Sequence, residues 1–120
     1  MKSTQTLEPK DKKLTRDKII ECGHSTSVQD VLEIIATDQG FNSVDTNCLI
    51  EFTSLYFADL SENYLAIEDV AYLPVLKELN ISCNHIRFIT IPEDGFPCLE
   101  VRSMFEHSSL SGVAKSINAN

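Results

Sequence analysis

The sequence predicts an α/β fold: a short right-handed solenoid with a parallel sheet on its concave side and an irregular or helical convex side. Three observations predict it. Asn42, Asn63 and Asn84 stand 21 residues apart. Apolar residues keep the same period: Ile34, Leu55 and Leu76; Val44, Leu65 and Ile86; Leu49, Val70 and Ile91; Phe52 and Leu73. The pattern L-x-x-L-x-L-x-x-N-x-L is complete in Leu76, Leu79, Ile81, Asn84 and Ile86. It recurs in Leu55 to Leu65, departing only at Ala58. Several columns sharing one period mark a chain built of stacked repeats.

The pattern has a physical logic. In the L-x-L segment alternate side chains point to opposite faces, so the leucines enter the core and the residues between them face outward. The asparagine falls where the chain leaves the strand. There its amide can bond the backbone of the turn. Ile67, Val70 and Leu73 then have the spacing of a helical turn covering the convex side.

Taken in chain order, residues 1–24 read as a disordered basic leader, with six basic side chains against three acidic ones up to Lys18. Residues 25–101 read as the solenoid. Ser27 and Asp30 form a weak capping box, and Val28, Val31, Leu32 and Ile35 follow at helical spacing. They predict a capping helix over 28–33. The first repeat, from Ile34, is degenerate, because Thr37 and Gln39 occupy columns that should be apolar. After Leu76 the next repeat starts at Leu99, with Pro92 and Gly95 in the longer loop between them. The register is lost after Val101, and residues 102–120 read as a disordered, serine-rich tail. The uncapped last repeat would leave a sheet edge open to self-association.

Composition narrows the function. Residues 19–120 hold four basic against fifteen acidic side chains, within a net charge of −8 for the whole chain. Such a body disfavours nucleic-acid backbones and anionic membranes as partners. No stretch approaches the roughly 20 apolar residues of a membrane span, and the leader lacks the apolar core of a secretory signal. Cys22, Cys48, Cys83 and Cys98 form no regular framework, so free thiols in a reducing compartment are expected. The sequon Asn80-Ile81-Ser82 is then a chance match. His24, His85 and His107 have no ligand-type neighbour at helical spacing, so no metal and no cofactor is expected. No nucleophile elbow or phosphate-binding loop is present.

The 21-residue register places Ala36, Asp38 and Gly40, then Phe57, Asp59 and Ser61, then Glu78, Asn80 and Ser82 on the outward side of the three strands. Tyr56 and Lys77 flank them. Aromatic side chains beside acids and amides suit protein binding, so Tyr56, Phe57, Asp59, Lys77, Glu78 and Asn80 are the candidate partner-binding residues. Asp59 and Glu78, as a pair, are ordinary solvated acids rather than a catalytic dyad.

On these motifs the chain resembles the leucine-rich-repeat superfamily, in repeats of the shorter intracellular type. Leu60 to Leu65, Leu76 to Asn80 and Phe96 to Glu100 also resemble a longer member that continues with further repeats. That likeness covers about half the chain. The resemblance implies an intracellular interaction protein, cytoplasmic or nuclear, and brings no catalytic residues. The expected function is non-catalytic binding of a protein partner through the concave face. The alternatives are a regulatory subunit of a phosphatase-like enzyme, or a shortened isoform with little or competing activity.

Overall fold

Three-residue strands with a single inward side chain organise the molecule. In the computed structural model, which describes residues 12–84 and 90–100, Glu33–Ile35 (β2), Phe57–Asp59 (β4) and Glu78–Asn80 (β5) form a parallel sheet in the order β2-β4-β5. Their central residues Ile34, Ala58 and Leu79 are buried, and their outer residues are exposed or half-buried. A second parallel pair joins Lys13–Leu14 (β1) to Ser43–Val44 (β3). Among the described residues, the helix Arg16–Cys22 (α1) and short 3-10 turns at Val28–Asp30, Thr46–Glu51 and Ile67–Val70 complete an α/β fold with parallel strands in two sheets. Among the described residues no helix is long and apolar enough to cross a membrane.

Leu60, Leu65, Leu79 and Ile81 are buried as expected, while Ile86 lies outside the described residues. The helical turn expected after Leu65 is the 3-10 segment Ile67–Val70, opened by Asp69 Oδ2 accepting from Ala66 N at 2.9 Å. From β4 to β5 the register is 21 residues, as the sequence predicts, with Ala58 opposite Leu79. The expected start at Leu99 also holds, since Glu100 N donates to Lys77 O at 2.7 Å, as Lys77 N does to Tyr56 O at 2.8 Å. The lost register, the open edge and the tail fall at 101–120, outside the described residues.

The first strand corrects the 21-residue frame. Ile34 pairs with Ala58, a spacing of 24. The frame that fits is Val31, Ile34, Ala36, Gln39 and Phe41, with glutamine in the asparagine position. Asn63 Oδ1 accepts from Gln39 N and Phe41 N, both at 3.0 Å, and Asn84 Oδ1 accepts from Leu65 N at 2.8 Å. Asp38, Glu62 and Cys83, each just before this position, all take left-handed backbone, with φ of 56°, 59° and 59°. The extra residues lie between Phe41 and Leu49, since Phe52 N donates to Leu49 O as Leu73 N does to Val70 O. β3 occupies that stretch. Its pairing with β1 outweighs the strict period.

The N-terminal part differs too. Residues 12–24, expected within a disordered leader, form β1 and α1, with Leu14 and Ile19 buried. Thr15 caps the helix, its hydroxyl accepting from Lys18 N at 3.2 Å. The predicted capping helix over 28–33 is a 3-10 turn followed by β2. Ser27 Oγ donates to the Asp30 carboxylate at 3.0 Å instead of capping backbone, and Leu32 and Ile35 are exposed rather than packed on a helix. Gly23 ends α1 against β2. A Cβ there would meet Val31 Cγ1 at 2.7 Å, so a larger residue would force Val31 to shift.

Two substitutions check the packing and the register. Leu79→Ala should cost about 2–5 kcal/mol, as a fully buried leucine does. Asn63→Ala should cost on the order of 2 kcal/mol or more, because two backbone N–H groups lose their acceptor. Asn42→Ala should cost less, because Asn42 is exposed where Asn63 is buried, although its Oδ1 accepts from Lys12 N at 3.0 Å. Urea denaturation measures all three. Equal losses at positions 42 and 63 would restore the uniform 21-residue frame.

Candidate functional site

The strand registers define the open face of the larger sheet. One row across it is Glu33, Phe57 and Glu78, and the next is Ile35, Asp59 and Asn80. Neighbouring members of a row lie about 4.8 Å apart along the hydrogen-bonding direction. Phe57 thus sits between two carboxylates on the central strand. Tyr56 enters that strand half-exposed and donates its hydroxyl to the Glu33 carboxylate. Lys77 flanks the far side, exposed, its backbone held between Tyr56 and Glu100.

All six expected binding residues therefore lie on or beside one face. The first strand contributes differently from expectation. Ala36 is buried, and Asp38 and Gly40 sit in the turn, with φ of 56° and 78°. Glu33 and Ile35 take the outward places instead, and Ile35 is 60% exposed. The signal that would have found them is the pattern read three residues earlier, from Val31. Ser61, expected outward, is buried, its hydroxyl bonded to Thr37 Oγ1 and Asp59 Oδ1, both at 2.7 Å.

Asp59 and Asn80 do structural work that the sequence does not announce. Asp59 Oδ1 accepts from Ser61 N and Oγ at 3.1 and 2.7 Å. Asn80 Oδ1 accepts from Ser82 N and Oγ at 3.1 and 2.8 Å. Each side chain closes the turn that follows its strand, a bond from residue i to i+2 that favours Asp and Asn. Phe57 and Glu78 record no such bond among the described residues.

Beside β2, the end of α1 (Cys22 to His24) and residues Asp30, Leu32, Glu33 and Ile35 enclose an open cavity of about 300 Å³. Leu32 and Ile35, both more than half exposed, are its apolar lining. Its charged side chains are Asp30 and Glu33. Burial pushes the Cys22 thiol up from its usual pKa, keeping it protonated at neutral pH. Burial does the same more strongly to Cys48, pushed up to about 11 with Asp45 and Glu51 adding to the effect. No group of histidines, cysteines and carboxylates among the described residues could hold a metal ion.

No family model, curated protein or solved structure matches the chain.

The Tyr56 phenol stands above its usual pKa, first because of its hydrogen bond to Glu33 and then through desolvation and the charges of Glu33 and Glu78. The hydrogen bond holds the neutral form. Its stabilising effect is therefore full below the unfolded phenol value and is lost as pH rises through the raised folded value. An ultraviolet titration should show one tyrosine ionising late, and Glu33→Gln should bring it earlier. An unchanged profile in that variant would deny the contact. Asp59→Ala should lower the melting temperature and Glu78→Ala should not. Equal effects would show that Asp59 does not hold its turn.

Proposed function

We propose that this chain is a short solenoid of the leucine-rich-repeat type and a non-catalytic module that binds a protein partner through its open sheet face. The solenoid reading is supported by equivalent parallel registers, matching left-handed turns and the matching asparagines Asn63 and Asn84. With its cysteines free, the module is read as intracellular.

One observation carries the binding reading. Phe57, half-buried in the central strand, has Glu33 and Glu78 beside it in register, with exposed Tyr56 before it and Ile35 and Asp59 in the next row. Apolar groups surrounded by polar ones form the usual anatomy of a protein interface, with aromatic anchors at its centre. Asp59 and Asn80 are engaged in their turns, which favours recognition by a fixed surface over proton transfer by mobile acids.

A photo-crosslinking amino acid at position 57 should trap a partner in cells, whereas the same group at exposed Ile50, in the 3-10 segment outside the sheet, should not. Phe57→Asp should weaken the trapped partner's binding by at least about tenfold while leaving the melting temperature near the wild-type value. Equal trapping from both positions would overturn the assignment of the face.

A further inference from the structure

We propose that the cavity between the end of α1 and β2 receives an arginine side chain of the protein partner, as the anchor of a basic segment lying along the sheet face. This rests on the preceding reading of the face as a binding surface and names the chemistry it selects. The cavity has the two parts such a side chain needs. Leu32 and Ile35 line it with apolar surface for the aliphatic stem, and Asp30 and Glu33 line it with carboxylates. Each carboxylate already has one oxygen in use. Asp30 Oδ2 accepts from Ser27 and Glu33 Oε2 from Tyr56, while the second oxygen of each makes no bond among the described residues. These bonds fix the carboxylates in place and leave an acceptor on each, which suits a planar guanidinium with several donors.

The surroundings match the charge. No lysine or arginine lines the cavity, and nearby Lys18 on α1 is paired with Glu21 at 3.2 Å. Along the rows from Glu33, the face adds Asp59 and Glu78, against Lys77 at the flank. A volume of about 300 Å³ lies at the lower limit of small-molecule sites, a size suited to one side chain rather than a whole cofactor. Gly23 also lines the cavity, where a Cβ would press on Val31 Cγ1 at 2.7 Å and lie 3.3 Å from Glu33 O.

The test uses the full chain, isotope-labelled, and a fluorescent heptapeptide of alternating leucine and arginine. Peptides with citrulline or glutamate in place of arginine are the controls. The arginine peptide should shift the amide resonances of Gly23, Leu32, Glu33 and Ile35. By anisotropy it should bind about tenfold or more tightly than the citrulline peptide, the scale expected of a charge-assisted pair. Glu33→Gln and Asp30→Asn should each remove most of that preference, with circular dichroism confirming that both variants fold. Equal binding of the arginine and citrulline peptides, preference for the glutamate peptide, or shifts confined to residues away from the cavity would overturn the inference. So would concentration-dependent shifts of the same resonances without peptide, which would place a second copy of the chain there. If the arginine peptide fails while Phe57→Asp still abolishes partner binding, the inference falls and the sheet face stands as the binding surface.

Discussion

The fold depends on two buried asparagine side chains. Asn63 Nδ2 donates to the carbonyls of Ala36, Leu60 and Ser61, and its Oδ1 takes two N–H groups from residues 39 and 41. Asn84 repeats this one passage later, donating to Leu60, Ile81 and Ser82 and accepting from Leu65. Where the chain leaves each strand, its backbone turns inward, away from water. Unpaired carbonyls and amides there would cost about as much as the lost hydrogen bonds themselves. A side-chain amide offers donors and an acceptor at once, so one residue satisfies its own turn and also bonds its neighbour. Among the described residues, no buried side-chain nitrogen or oxygen lacks a partner.

With the turns fixed in this way, each strand needs only one inward side chain. Ile34, Ala58 and Leu79 stack in register, while Leu55, Leu60, Leu76 and Ile81 close the core on either side. The first passage can then be three residues longer than the second without disturbing the sheet, because the surplus is taken up on the other side as β3. β3 in turn recruits β1, and the segment from Lys12 packs as a strand and a helix. Arg16 Nε pairs with Glu51 Oε1 at 2.9 Å, but both side chains are well exposed, so burial of Leu14 and Ile19 holds this end more than the ion pair does.

The same constraint shapes the surface. A sheet of three-residue strands leaves two outward positions per strand, and the residue types there are free of the core's demands. Asp59 and Asn80 use theirs to close turns, so on the central and last strands one row serves the backbone. Glu33, Phe57 and Glu78, in the other row, close no such turn and stand on the open side of the sheet. The extra residues of the first passage also decide that Glu33 and Ile35 face outward, beside the cavity at the end of α1.

The sequence by itself determined the parallel pairing of strands 21 residues apart, expected at 58–60 and 79–81 and found one residue earlier, the buried leucines around them, the start near Leu99 and the sharing of one face by Phe57, Asp59, Glu78 and Asn80. Two copies of one pattern, one complete and one departing only at Ala58, were legible because every inward position is apolar or small and the asparagine is present in both. The first strand was not legible in the 21-residue frame, because Gln39 replaces the asparagine there, while Asn42, at the expected spacing, serves the β1–β3 pair by accepting from Lys12 N. Only the tertiary structure decided between the two frames, since the choice rests on Asn63 reaching Gln39 and Phe41 and on β3 pairing with β1. It also decided that a charge-rich segment folds. Leu14 and Ile19 are too few to mark a core by composition, and they gain their burial only from surfaces that residues far along the chain provide.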